Sequence, residues 1–222
     1  MASRATTTST DRQASPRDHY HHGDLRTALV AAGLELSRTS GPAGLGLREV
    51  TRRVGVSPTA AYRHFADRDA LVRAVSHEIQ ERMARRMRRA APPRSSDDRE
   101  EAIGALRAVG LGYIRFALSE PGWFGVAFFG GGPPAPEPID GDGPAWVPPP
   151  YAMLVAALDQ LVVAGVLPAE QRPGAEWPCF STVHGFASLA LYGPLHGQPR
   201  SVLDRLARRA VDTIVEGLVP TD

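Results

Sequence analysis

The chain of 222 residues is 43% apolar and 22% charged, the balance of an ordinary globular protein with room for one large domain or two small ones. Its one cysteine, Cys179, excludes an intramolecular disulfide framework and fits a reducing compartment. No run reaches the ~18 consecutive apolar residues of a membrane span, and the Ser-, Thr- and Arg-rich opening does not read as a signal peptide, so a cytoplasmic protein with no membrane partner is expected.

A net charge of +1 conceals an asymmetry. Residues 1–94 carry 17 Arg against 9 acids, and residues 95–222 carry 8 Arg against 15 acids. Lysine is absent, which reads as a coding bias and not as chemistry. A basic front half joined to an acidic back half is the pattern of a nucleic-acid module attached to a module with another task.

Residues 1–19 are expected to form a flexible arm. The stretch "RDHYHHGDLR", residues 17–26, then sets His19, His21 and His22 beside Asp18 and Asp24. Such a set could in principle ligate zinc, nickel or copper. Metal binding needs deprotonated ligands held in one geometry, and neighbours on an arm seldom converge so. No metal or other cofactor is therefore expected, and the stretch reads as the lead-in to a first helix capped by Asp24. Leu25, Ala28, Leu29, Ala32 and Leu36 share one face of that helix, which Gly41-Pro42 ends.

A second helix is predicted from Leu47 to Val54, closed by Gly55. Ser57 is then a cap and Pro58 suits the first position of a third helix of about two turns, ending near Phe65. A long fourth helix starts at the cap Asp67, with Leu71, Val75, Ile79, Met83 and Met87 as its apolar line. The tight Gly-Val-Ser turn makes the second and third helices a helix-turn-helix, within a DNA-binding domain over 20–90 that includes the linking fourth helix.

"APPRSSDD", residues 91–98, breaks the pattern where the charge changes sign. A helical back domain over 95–222 follows, with helices at 99–118, 120–129, 151–165, 174–192 and 200–218. Between them, residues 130–150 hold eight Pro and five Gly and are expected to form a loop or lid. No strand-period segment or internal repeat occurs, so the fold class is all-α.

The third helix offers a few side chains to a major groove. Ser57, Pro58, Thr59 and Ala60 lie at its N-terminal end, where residues meet base edges. Thr59 and Ala60 are small enough to bring the backbone close and to touch a thymine methyl, and Arg63 can pair with guanine or a phosphate. Arg48, at the start of the second helix, is a phosphate candidate. Phe65 reads as core. The run "RMARRMRR" reads as a solvated charged face near a helix C-terminus, with Arg82, Arg85, Arg86 and Arg89 together.

In the back half, Tyr113, Phe116, Trp123, Phe124, Phe128, Leu154, Phe180 and His184 are candidates to line an apolar pocket carrying a few polar groups. Cys179 and His184 are five apart on one helix and point about 140° apart, so they cannot form a nucleophile–base pair. With no phosphate-cradling loop and no paired carboxylates in register, no enzymatic activity is expected. The last two helices carry more apolar residues than one protomer's core needs. Phe180, Val183, Phe186, Leu189 and Leu191 lie on the first, and Val202, Leu206, Val211, Ile214, Val215 and Leu218 on the second. They are expected to form a four-helix homodimer interface, with small Gly185 and Ala187 easing close approach.

"YHHGDLRTALVAAGLEL" and "LREVTRRVGVSPTAAYRHFADRDALV", with the spacing between them, resemble the TetR/AcrR family of bacterial one-component regulators. "FSTVHGFASLAL" is similar to a ligand-domain subtype with a Trp-x-x-x-His-Gly motif, Phe180 standing where that Trp would be and Trp177 three residues earlier. Gly33, Gly46 and Thr51 depart from the usual pattern, and Arg68 replaces the usual Lys. The resemblance implies a homodimer that binds a palindromic double-stranded operator, represses, and is released by a small-molecule effector. It also implies that Tyr62, His64 and Arg68 hold phosphates. The rival reading is an architectural, sequence-tolerant DNA binder with no effector; a metal sensor using the opening histidines is a third.

Overall fold

The computed structural model describes residues 22–90, 97–131 and 147–219, which form nine α-helices and no strand. The arm at 1–19, most of the His-rich stretch, the break at 91–96 and residues 132–146 of the Pro/Gly-rich segment lie outside the described residues.

Helix α1 (His22–Ser40) begins before Asp24, the residue expected to cap it. Its apolar stripe buries Leu29, Ala32 and Leu34, and a 3-10 turn (Gly41–Gly44) leads away from it. Helix α2 (Leu47–Val54) closes on Gly55 at φ +78°, whose N–H returns to the Thr51 carbonyl. A left-handed residue is needed there to start the turn into the next helix, and glycine adopts that conformation without strain.

Helix α3 is short (Pro58–Tyr62), ending before Phe65. The Ser57 side chain accepts the Ala60 N–H at 3.3 Å, and Pro58 occupies a first-turn position that needs no N–H. Helix α4 (Arg68–Arg89) starts on Asp67, whose carboxylate accepts the Ala70 N–H at 2.7 Å. All five residues of its expected apolar line are buried, as is Phe65.

The back half comprises α5 (Asp98–Ser119), α6 (Pro121–Phe129), α7 (Pro149–Val163), α8 (Glu176–Tyr192) and α9 (Arg200–Leu218). By length and composition α5 could cross a membrane, but here it is the central helix, packed against α4, α7, α8 and α9. Asp97 caps it, accepting from the N–H groups of Arg99 and Glu100. Helix α6 is a peg between the halves, lying against α1, the 3-10 turn and α4 as well as α5. The buried residues of both halves therefore form one continuous core.

Candidate nucleic-acid interface and ligand site

The front unit turns one side of α3 inward and the other outward. Ala61 and Phe65 are fully buried, which fixes the short helix on the core. Ser57, Pro58, Thr59, Tyr62 and Arg63 are exposed, with Ala60 and His64 half-buried between the two sides. Tyr62 keeps 56% of its surface in solvent, unusual for a tyrosine beside a formed core. Arg48 is exposed at the start of α2. Neighbouring arginines are engaged: Arg53 pairs with Glu35 at 2.7 Å, and Arg52 with Glu49 on the same helix. Among the described residues no carboxylate pairs with Arg48 or Arg63.

Arg68 has a structural task that the sequence did not signal. Its Nε donates to the Leu45 carbonyl at 2.9 Å and an Nη donates to the Pro42 carbonyl at 2.8 Å. The guanidinium thus braces the turn between α1 and α2, and Asp69 lies 3.7 Å from its remaining nitrogen.

In the back half, an aromatic cluster closes around His184 of α8. The rings of Phe124, Phe128, Phe129 and Phe180 lie 5.2–5.6 Å from the imidazole, Phe180 stacked on it. The Tyr113 hydroxyl on α5 is hydrogen-bonded to His184 Nδ1 at 2.8 Å. Burial pushes the Tyr113 hydroxyl pKa upward and the His184 imidazole pKa downward, so both groups are held neutral. Five of the eight predicted pocket residues therefore meet at one place: Tyr113, Phe124, Phe128, Phe180 and His184. Leu154 is buried on α7, which packs on α5. A groove of about 480 Å³ lies elsewhere, between α1 and α4, walled by Val30 and Leu34 but also by Arg26, Glu78, Glu81 and Arg82. Its mixed charge differs from the apolar lining expected of an effector pocket.

Phe116 and Trp123 are not in that cluster. They stack on each other, 6.5 Å apart, at the seam between front and back. Trp123 Nε1 donates to the Leu34 carbonyl of α1 at 2.8 Å, and the guanidinium groups of Arg38 and Arg82 lie 5.2 and 5.4 Å from its ring. Beside it Glu120, 4% exposed, pairs with Arg38 of α1 at 2.7 Å and with Arg86 of α4 at 2.8 Å. Burial alone would raise the Glu120 carboxyl, but the hydrogen bonds and charges of Arg38 and Arg86 outweigh it and hold the group below the usual carboxylate range. Within the arginine run of α4, Arg82 and Arg85 pair with Glu78 on their own helix and Arg86 pairs across the seam, while Arg88 and Arg89 are exposed.

A helix-turn-helix with an exposed recognition face, carried on an all-helical second half, defines a DNA-binding transcription regulator. The profile for bacterial regulatory proteins of the tetR family matches residues 29–75, and that for the tetracyclin repressor-like C-terminal domain matches residues 106–214. Together they take in well over half of the chain, which belongs to the TetR family. The front unit is 49% identical over 47 residues to an uncharacterized HTH-type transcriptional regulator of Haemophilus influenzae, covering 21% of this chain and 23% of that one. The chain thus aligns with less than a quarter of that curated relative.

Similar folds extend over nearly the full length. A protein of unknown function from Rhodococcus sp. RHA1 has a TM-score of 0.62 at 27% identity, covering 92% of this chain and 100% of the other. A TetR-family transcriptional regulator from Pectobacterium atrosepticum has a TM-score of 0.64 at 17% identity, covering 92% and 99%. A TetR variant from Acinetobacter baumannii, solved with minocycline, has a TM-score of 0.58 at 19% identity, covering 85% and 93%.

Proposed function

We propose that this protein is a homodimeric repressor that reads a palindromic operator with α3 and is released when a small molecule enters the back domain. The observation that carries the reading is the outward row of Ser57, Pro58, Thr59, Tyr62 and Arg63 along α3 and its caps, held to the core by Ala61 on the helix and by Phe65 just beyond it. A rigid base that presents small N-terminal residues, then an aromatic hydroxyl and a guanidinium, suits entry into a major groove. Thr59, Ala60 and Arg63 face base edges, while Arg48, Tyr62, His64 and Arg68 hold phosphates and set the register. The effector is received among Tyr113, Phe124, Phe128, Leu154, Phe180 and His184, where apolar walls surround one polar pair. A similarly folded TetR variant in complex with minocycline supports a small molecule as the effector class.

Gel-shift titrations test the division of labour, using the duplex that binds best from a random-sequence pool and a scrambled copy. Arg48→Ala and Tyr62→Phe should weaken binding to both duplexes alike, and Arg48→Ala should flatten the salt dependence by about one unit of slope. Arg63→Ala and Thr59→Ala should instead erode the preference for the selected duplex, by about 1–3 kcal/mol per lost base contact. Equal losses on both duplexes for all four variants would refute the assignment.

A further inference from the structure

Three contacts fasten the start of α6 to the end of α1. Glu120 forms a two-pronged pair with Arg38, its carboxylate oxygens 2.7 and 2.8 Å from Nε and Nη. Trp123 Nε1 donates to the Leu34 carbonyl. At Gly122 the backbones touch: a Cβ there would lie 2.4 Å from the carbonyl oxygens of both Ser37 and Arg38. Arg86 grips the same Glu120 carboxylate from α4 at 2.8 Å. The middle and far end of α6 bear Phe124, Phe128 and Phe129, three of the rings around His184. A nine-residue rod therefore has one end in the aromatic cluster and the other anchored on the DNA-binding unit. Helix α1 shares a core with α2 and α3, so what moves α1 carries the recognition helix with it.

We propose that Glu120, clasped by Arg38 and Arg86, is the latch that makes α6 and α1 move as one body, so that events in the aromatic cluster reach the recognition helix through α1. Glu120 is a positioning residue in this scheme and touches neither DNA nor effector. A carboxylate is required because it satisfies two guanidinium groups on different helices at once, which a neutral amide does not. Without the charge α6 can tilt while α1 stays still. The inference rests on the proposed function, since it describes how that regulation is transmitted.

Coupling is reciprocal, so the latch can be read from the DNA side without knowing the effector. The test is hydrogen exchange by mass spectrometry on the full chain, with and without the selected duplex. In the wild type, DNA should slow exchange across residues 121–129 and 180–192 by about fivefold or more. Glu120→Gln should keep its Kd for the duplex within about twofold yet lose the response over 121–129. Arg38→Gln, which breaks the clasp from the α1 side, should do the same and decides the matter if Glu120→Gln fails to fold. A variant that transmits the wild-type response, or a wild type that shows none, overturns the latch. Failure to recover any preferred duplex would instead overturn the proposed function, and the latch with it.

Discussion

His184 sits where an imidazole is costly to charge. Four phenyl rings surround it and its Nδ1 is tied to the Tyr113 hydroxyl, so the fold holds the ring neutral, below its ordinary pKa of 6.5. The sign of the resulting pH dependence is fixed. As pH falls through 6.5 the unfolded chain takes up the proton first, so native stability declines until the folded-state pKa is passed. His77, depressed by burial and by Arg26, acts in the same direction. Thermal unfolding of His184→Gln should therefore show a shallower loss of midpoint between about pH 6.5 and 5 than the wild type, with the His77 share remaining. Identical slopes would contradict a neutral, half-buried His184. Glu120 behaves oppositely: its depressed carboxyl contributes stability above 4.5 that is lost only as pH falls through the lower folded value. The latch is thus closed at neutral pH.

Between elements, the tightest demand is at Gly122, where α6 approaches α1. An added methyl group would meet two carbonyl oxygens that belong to backbone and cannot rotate aside. Gly122→Ala should cost about 1–3 kcal/mol, as overpacked contacts do, and lower the midpoint by roughly 2–12 °C. Gly104→Ala on α5, where a Cβ meets nothing within 4 Å, is the matched control and should leave the midpoint unchanged or raise it. Equal effects at both positions would refute the close seam.

The helices and several of their caps were legible because their signals are local: Ser57 before Pro58, Asp67 three residues before Ala70, and Gly55 after an apolar stripe. The start of α1 was not, since an acid serves a helix equally well at the cap or in the first turn. The start of α7 was also misplaced, because Pro149 and Pro150 looked like loop but fit a first turn that needs no N–H. The seam was the larger omission. Glu120 lies 82 residues from Arg38 and 34 from Arg86, beyond any helical period, and Phe116 and Trp123 therefore read as pocket wall. The available signal was a single carboxylate next to Pro121 in an otherwise apolar stretch.

For the whole molecule, the proposed dimer must use what the protomer leaves uncovered. Val183, Phe186, Val211 and Val215, offered by sequence as interface residues, are buried in the protomer's own core. What remains along α8 is Trp177 at 46%, Leu189 at 46% and Tyr192 at 60% exposure, with half-buried Gly185 between them. No atom within 4 Å would block a Cβ at Gly185, which leaves room for a second helix. Half-buried Leu206 and Ile214 extend the apolar supply on α9. One short recognition helix reads few base pairs, whereas a two-fold pair reads the same sequence twice in inverted order. The most direct measurement is selection of wild-type binding sites from a random-sequence duplex pool. The predicted result is one enriched inverted repeat whose half-site centres lie about one helical turn, roughly 34–36 Å, apart or a multiple of it. Recovery of DNA with no enriched sequence would contradict an operator-specific regulator and leave a sequence-tolerant DNA binder in its place.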